Sequence, residues 1–159
     1  CMFLGELNGL DVDAADVGNA YLIAFTKAKI FIIAGPEFGD LQGCLLIIVK
    51  ALYGLRTSGA RWHEFFADTL MDMGYCPCKA DPDVWMKDSG THYEFVCVYV
   101  DDLACIMAYP HLFFQELRRR GYKLKGVGEI TYHLGGDFFR DPDGTLAWGA
   151  KTYTKRVVN

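Results

Sequence analysis

The sequence lacks the features that would place it in or across a membrane. Its longest apolar runs, such as CLLIIV at 44–49, fall far short of the ~18 residues that span a bilayer. The N-terminus has no basic stretch followed by an apolar core and a small-residue cleavage site, so no signal peptide is predicted. We therefore expect an intracellular protein with no membrane partner.

Internal repeats, low-complexity tracts and Ser/Pro-rich linkers are also lacking, which excludes a repeat array and gives no domain boundary. The 159 residues are 52% hydrophobic and 23% charged, an ordinary globular balance. A chain of this length buries ~70% of its unfolded surface. It starts at Cys1 rather than Met and stops at TKRVVN, so we expect a fragment of a longer protein.

Paired CxxC ligands are absent from the six cysteines. Cys97 and Cys105 stand in apolar runs, where cysteine usually serves as a small hydrophobic residue. Cys76 and Cys78 with His63 or His92 match no familiar zinc spacing. Reduced thiols are the better interpretation.

Basic residues are fewer than acidic ones, 16 against 20, which gives a net charge of −4. The composition of the domain as a whole therefore does not indicate nucleic-acid binding. The basic residues are uneven, however. Five fall in LRRRGYKLK at 117–125 and three in KTYTKR at 151–156. Solvated helix ends would explain both runs; a strip facing phosphates is the alternative.

The hydrophobic pattern predicts an α+β fold. A first strand ends near Asp16, and strands over 28–35 and 44–54 form a hairpin. A helix within 57–75 begins at Ser58 as its cap and ends at Gly74. Its apolar stripe has helical spacing and comprises Trp62, Phe65, Phe66, Thr69, Leu70 and Met73.

The second half continues with a strand over 93–100, the pair Asp101-Asp102, and a strand over 103–108. A short helix over 110–121 and a final hairpin around RDPDG at 140–144 follow. The order predicts an antiparallel sheet with helices packed on one face.

Three carboxylates stand at predicted strand ends. Asp101 and Asp102 interrupt the apolar run FVCVYVDDLACIM, and Asp16 ends the first strand. An Asp-Asp turn is usually only a turn. If the strands are neighbours, however, the three converge at one edge, and hard oxygen ligands suit Mg²⁺. Two such ions clamp an in-line phosphoryl displacement.

Three segments in this order resemble a reverse transcriptase: DVGNAYL at 16–22, KALYGLRTSGARW at 50–62 and YVDD at 99–102. The middle one is similar to the copia-type retrotransposon pattern K-x-L-Y-G-L-K-Q-A-P-R-x-W. The likeness runs from about residue 8 to the C-terminus. It implies an RNA-directed DNA polymerase with a ferredoxin-like palm and part of the fingers, using two Mg²⁺ or Mn²⁺ ions.

The resemblance also implies catalytic roles. Asp16 and Asp101 match the metal-binding carboxylates, Asp102 matches the third acidic position, and Val17 would lend a backbone carbonyl to the metal. Tyr21 matches the aromatic residue that excludes a 2′-hydroxyl, although a core aromatic is the other interpretation.

Further substrate contacts are implied beside these. Tyr53 and Gly54 match the loop that holds template and nucleotide, with Arg56 facing a phosphate, and Tyr99 would lie against the primer. Lys123 or Lys125 would protonate pyrophosphate, unless both lie in a solvated loop. HLGGDF at 133–138 resembles the primer-gripping hairpin.

The same likeness implies partners outside residues 1–159. These are an RNA or DNA template-primer, a deoxynucleotide, the N-terminal fingers and the thumb, and the ribonuclease H and integrase parts of a polyprotein. A retrotransposon particle in the cytoplasm is the expected location, with the nucleus as the alternative.

Two other functions stay open. A catalytically silent remnant could bind RNA or protein through its sheet, although such modules need exposed aromatics and a basic face. Asp11-Val-Asp13 matches the D-x-D of sugar-nucleotide transferases, a pattern that is common by chance.

Overall fold

The computed structural model describes residues 1–158, which form two compact units. The first combines residues 1–18 with residues from 70 onward, and the second is Asn19–Thr69. The helices are α1 (Met2–Leu7), α2 (Ala20–Ile23), α3 (Ser58–Asp72), α4 (Pro110–Arg119) and α5 (Lys151–Val158), with a 3-10 helix at Pro36–Leu41. The strands are β1 (Asp11–Val17), β2 (Phe25–Ile33), β3 (Leu45–Lys50), β4 (Cys76–Pro77), β5 (Val84–Asp88), β6 (Tyr93–Tyr99), β7 (Asp102–Met107), β8 (Leu124–Glu129), β9 (Tyr132–His133), β10 (Gly136–Arg140) and β11 (Leu146–Gly149).

A six-stranded antiparallel sheet organises the first unit, in the order β4-β5-β6-β7-β1-β8. The first strand of the chain therefore lies between β7 and β8. The predicted strand ending near Asp16 and the hairpin made by the strands on either side of Asp101 are both confirmed. The sheet carries the carboxylates at the end where β1 stops and β7 starts.

One face of this sheet holds a core of Val12, Phe95, Ala104 and Ile106, joined by Leu10 and Ile130. Helix α1 covers part of this face, because Gly5 has no side chain and its backbone approaches Ile106 directly. Phe138 and Leu146 of the β9–β11 sheet also pack against the core.

The opposite face is covered by α4. Side chains alternate along a strand, so Glu94 and Met107 point away from Phe95 and Ile106. They line one pocket together with Leu112 and Phe113 of α4. The prediction that the helices pack on one face is therefore wrong for α1, which lies on the other face.

The final hairpin is confirmed as a three-stranded sheet in the order β11-β10-β9. Five elements of the first unit were not predicted: α1, β4, β5, β8 and α5. The two basic runs prove to include helix ends, since Arg118 and Arg119 are in the last turn of α4 and Lys155 and Arg156 in that of α5.

The second unit contains the predicted hairpin of β2 and β3. Strand β3 ends at Lys50 rather than at Gly54, and the Lys50 ammonium donates a hydrogen bond to the Ile23 carbonyl at 2.6 Å. Gly54, at φ +91°, supports the turn that follows. Ser58 is the first residue of α3, and its hydroxyl donates to the Leu52 carbonyl instead of capping the helix.

Helix α3 follows the predicted stripe. Trp62, Phe66, Thr69 and Leu70 are buried, whereas Phe65 is exposed. Gly74 ends the helix at φ +86°, and the amides of Gly74 and Tyr75 donate to the carbonyls of Met71 and Leu70.

Across residues 1–158, no helix combines the length and apolar character needed to cross a membrane, and all six cysteines are free thiols.

Candidate active site

The register of β1 and β7 brings two of the predicted carboxylates together. Asp16 and Asp102 are direct partners across the antiparallel pair. Partner residues project to the same face, with Cβ atoms about 4.5–5.5 Å apart. Asp16 and Asp102 therefore share one face at one end of the sheet.

Asp101 is held at the same end by the backbone. Tyr99 pairs with Asp102, so Val100 and Asp101 form a two-residue turn. The Asp101 carbonyl accepts a hydrogen bond from the Val17 amide at 2.7 Å, which ties the turn to the end of β1. Val100 takes φ +56°, which a β-branched residue rarely adopts and which the tight turn requires. Of the two aspartates, only Asp101 lies in the turn, because Asp102 already belongs to β7.

The three carboxylates interact electrostatically. Burial raises the pKa of Asp102 above its ordinary value, and the charges of Asp101 and Asp16 raise it further, while His133 lowers it. Burial lowers the pKa of His133, and Asp102 opposes that shift. His133 is a half-buried neighbour of this site that sequence reasoning missed as a site residue. The only sequence signal that pointed to His133 was its position in HLGGDF, the segment that resembles the primer-gripping hairpin.

The donor chemistry at this end fits a divalent cation. Asp16 and Asp102 offer hard oxygen ligands on one face, and Mg²⁺ typically takes one or two carboxylates with water and substrate phosphates. Within residues 1–158, however, no group of three or more His, Cys, Asp or Glu side chains is arranged to hold a metal. The pair fits the ion, whereas a three-carboxylate site requires the Asp101 side chain to turn toward it.

Asparagine at Asp102 should stabilise the protein at neutral pH. The raised pKa means that the folded state binds this proton more tightly than the unfolded state, so stability falls as pH rises from 3.8 through the raised value. Asp102→Asn removes that loss. We expect a modestly higher Tm at neutral pH, because Asp102 is exposed and water screens its charge.

Thermal unfolding followed by circular dichroism measures this difference. Well below pH 3.8 the side chain is protonated in both states, so the wild type and the variant should unfold at the same temperature. A variant that is equally stable or less stable than wild type at neutral pH would contradict the raised pKa assigned to Asp102.

The other edge of β1 meets β8. Asp16 is the register partner of Lys125, and the Gly18 amide donates to the Lys123 carbonyl at 2.7 Å. A Cβ at Gly18 would lie 3.3 Å from that carbonyl oxygen and from Cε of Lys125, so glycine permits this close approach. Both lysines are exposed, as the solvated-loop alternative expects, but Lys125 belongs to strand β8 and not to a loop, while Lys123 directly precedes that strand.

The remaining predicted substrate residues of the first unit and the basic run can also be located. Tyr99 is the last residue of β6 and is exposed. Arg119 and Arg120 both pair with Glu116, at 2.6 and 2.7 Å. Those two guanidinium groups already have a carboxylate partner, which favours the helix-end interpretation over a strip that faces phosphates.

Neither alternative metal site is assembled in the described chain. The Cys76 thiol donates a hydrogen bond to the Met86 carbonyl. Within residues 1–158, no group of three or more His, Cys, Asp or Glu side chains around it is arranged to hold a metal. Asp11 and Asp13 lie at the opposite end of β1 from Asp16. Burial raises the pKa of Asp13, and Asp11 and Glu129 add to that shift.

In the second unit, two predicted substrate residues are in contact. The rings of Tyr21 in α2 and Tyr53 have their centroids 4.8 Å apart, inclined by 47°. Tyr53 is 61% exposed and Tyr21 is partly buried, so Tyr21 is not a core aromatic. Gly54 lies in the same exposed turn as Tyr53, and Arg56 is exposed in the turn that follows.

The comparison with known families decides the identity of the chain. The family described as reverse transcriptase (RNA-dependent DNA polymerase) matches residues 4–159. The chain belongs to the reverse transcriptase family.

Two curated proteins similar to this reverse transcriptase domain are Pol polyproteins of copia-type retrotransposons. The Retrovirus-related Pol polyprotein from transposon RE1 of Arabidopsis thaliana is 26% identical over 133 residues, which are 81% of this chain and 9% of that protein. The Transposon Ty1-NL2 Gag-Pol polyprotein of Saccharomyces cerevisiae is 29% identical over 96 residues, 60% of this chain and 5% of that protein. The chain spans less than a tenth of either relative.

One departure of this reverse transcriptase from the copia-type pattern has a structural consequence. Gly59 stands where the pattern has proline. An added Cβ at Gly59 would lie 3.9 Å from the Tyr21 hydroxyl, in ordinary van der Waals contact with it. Glycine therefore leaves the Tyr21 hydroxyl more room than proline would.

Proposed function

We propose that residues 1–159 form the palm and part of the fingers of a copia-type RNA-directed DNA polymerase. The observation that carries this proposal is the pairing of Asp16 with Asp102 beside the Val100-Asp101 turn. Family membership supports the reaction class. The primer 3′-hydroxyl attacks the α-phosphate of a deoxynucleotide and releases pyrophosphate.

Asp16, Asp101 and Asp102 would hold two Mg²⁺ or Mn²⁺ ions, with the Val17 carbonyl as a further oxygen ligand. Bound there, divalent ions would supply Lewis-acid activation of the primer hydroxyl and charge neutralisation of the leaving pyrophosphate. The chain itself supplies orientation. The β1–β7 ladder positions the backbone of Asp16 and Asp102, and the hydrogen bond from the Val17 amide to the Asp101 carbonyl positions the turn that carries Asp101.

The other roles concern the substrate. Tyr99, exposed beside Asp102, contacts the primer, and a lysine next to β1, Lys123 or Lys125, donates a proton to pyrophosphate. Tyr53, Gly54 and Arg56 bind template and nucleotide. The partners are an RNA or DNA template-primer, a deoxynucleotide and the remaining parts of a Pol polyprotein, within an intracellular particle.

The experiment is extension of a primer annealed to an RNA template by the longer Pol polypeptide that contains this chain. Products complementary to the template, formed only with Mg²⁺ or Mn²⁺, would support the proposal. Retention of RNA without extension would instead indicate the silent binding module.

Tyr21 is proposed to select the sugar. Its ring is braced by Tyr53, so it cannot easily retreat from a 2′-hydroxyl. Tyr21→Val should raise ribonucleotide incorporation relative to deoxynucleotide incorporation by about 10- to 200-fold, the range for a small change in pocket size. Tyr21→Phe, which keeps the ring, is the matched control and should retain the wild-type preference. Steady-state kinetics with paired nucleotides measure the ratio, and an unchanged ratio in Tyr21→Val would remove this role.

A further inference from the structure

Arg140, the last residue of β10, joins three parts of the first unit. Its guanidinium donates to Glu6 of α1 at 3.1 Å, to Glu129 of β8 at 3.0 Å and to the Gly144 carbonyl of its own hairpin turn at 2.8 Å. Glu6 and Glu129 are 134 and 11 residues away from Arg140 along the chain. One side chain therefore connects the N-terminal helix and the edge strand of the large sheet to the β9–β11 sheet.

Glu6 holds both strands of the β10–β11 hairpin. One of its carboxylate oxygens accepts from Arg140, and the other accepts from the Leu146 amide at 3.3 Å. Arg140 and Leu146 are register partners, so Glu6 contacts the hairpin where the two strands meet the turn. The Glu6 side chain is only 25% exposed, and partly buried ion pairs are screened by salt less than exposed pairs are.

These polar contacts add direction to an apolar attachment. Phe138 and Leu146 of the β9–β11 sheet pack against the core of the large sheet. Apolar burial has no preferred direction, whereas a planar guanidinium that donates to two carboxylates and a carbonyl constrains the angles between them. The contacts of Arg140 therefore determine where on the core this sheet lies.

The other end of the same sheet reaches the candidate active site. Gly136, at the start of β10, pairs with His133, and His133 interacts electrostatically with Asp102. Gly136 and Arg140 are four residues apart, about 14 Å along an extended strand. Since hydrogen-bonded strands transmit displacement as rigid elements, a shift at Arg140 would be carried to His133.

We propose that Arg140 is a positioning residue for the candidate active site. By binding Glu6 and Glu129, it holds the β9–β11 sheet at one end. The opposite end of that sheet then brings His133 to Asp102. This placement does not depend on the proposed polymerase activity.

Two-dimensional NMR of the ¹⁵N-labelled 159-residue chain tests the placement. We expect Arg140→Gln to move the backbone amide resonances of His133 and Asp102, although neither residue contacts the substituted side chain. Hydrogen exchange of the β9–β11 amides should become several-fold faster. A loss of stability alone would leave the resonances of the folded state in place, so unchanged His133 and Asp102 resonances would overturn the proposal.

Three further variants separate position from charge. Glu6→Gln breaks the same contact from α1 and should move the same two resonances in the same direction. Arg140→Lys keeps the charge but lacks the planar fork, so its spectrum should resemble that of Arg140→Gln. Arg119→Gln is the matched control, because Arg119 pairs with Glu116 inside a single helix, and it should leave both resonances in place. A wild-type spectrum in Arg140→Lys, or the same shifts in Arg119→Gln, would assign the effect to charge and overturn the positioning role.

The consequence for the primer rests on the proposed function, because HLGGDF at 133–138 resembles a primer-gripping hairpin. In single-turnover primer extension by the longer Pol polypeptide, Arg140→Gln should slow nucleotide addition at least about tenfold, since a misplacement of about 1 Å can cost about 10²-fold. The KM for the nucleotide should stay unchanged. Addition at the wild-type rate would overturn the effect on the primer. If the wild type itself does not extend a primer, the proposed function fails, and the NMR comparison still decides the placement of His133.

Discussion

Replacing Asp101 by asparagine will abolish primer extension by the Pol polypeptide that contains this chain, while the fold persists. Asparagine keeps the size of the side chain but removes the charge that a divalent ion requires. The backbone contact survives, since the Val17 amide donates to the Asp101 carbonyl and not to its side chain. Loss of one group that stabilises the transition state typically costs about 10²–10³-fold, and a metal ligand should cost at least as much.

Asp11→Asn provides the matched control for this prediction. Asp11 lies on the same strand as Asp16, at its opposite end, so its loss changes the net charge equally without touching the site. We expect primer extension by Asp11→Asn at the wild-type rate. Extension by Asp101→Asn at that rate would remove Asp101 from the catalytic site.

Much of the secondary structure could be predicted from local sequence. The stripe of α3, the apolar strands on each side of Asp101 and Asp102, and the turn RDPDG have patterns that only one secondary structure satisfies. Proline at the start of α4 and glycine after its end fixed the limits of that helix, where Gly121 takes φ +95°. These signals lie within a few residues of the structure they specify.

Strand β8 shows where local patterns fail. Its sequence LKGVGE contains two glycines, Gly126 at φ +58° and Gly128 at φ +157°, and lacks alternating apolar residues. It forms a strand because β1 offers a free edge, with an irregularity between Ala14 and Asp16 that absorbs the mismatch. Tertiary pairing, not propensity, determines this element.

The sequence also did not predict that helices cover both faces of the six-stranded sheet. Helix α1 has one buried residue, Gly5, so it carries no apolar stripe that would predict packing. Its place against Ile106 depends on the absence of a side chain at that glycine. A helix that packs through its backbone leaves no periodic pattern of apolar side chains in the sequence.

For the site, strand ends predicted that Asp16 would meet the Asp101-Asp102 pair only if their strands were neighbours in the sheet, and the β1–β7 pairing supplies that condition. The sequence did not predict which of the two aspartates faces Asp16, since that depends on a two-residue turn at Val100-Asp101. His133 approaches Asp102 through the separate β9–β11 sheet, a long-range packing that spacing cannot encode.

Metal binding should weaken when Asp16 is replaced, and this second prediction tests the pairing of Asp16 with Asp102. Asp16 and Asp102 project from adjacent strands onto one face, so an ion bound by one is within reach of the other. Removing one carboxylate should weaken Mn²⁺ binding at least about tenfold, because a charge at about 4 Å contributes several kcal/mol near a protein surface.

Electron paramagnetic resonance of Mn²⁺ titrated into the 159-residue chain measures this affinity most directly. The account predicts that Asp16→Asn and Asp102→Asn each weaken binding at least about tenfold, whereas Asp11→Asn binds as wild type does. Equal Mn²⁺ affinity in wild type, Asp16→Asn and Asp102→Asn would contradict a shared cation site at the meeting point of β1 and β7.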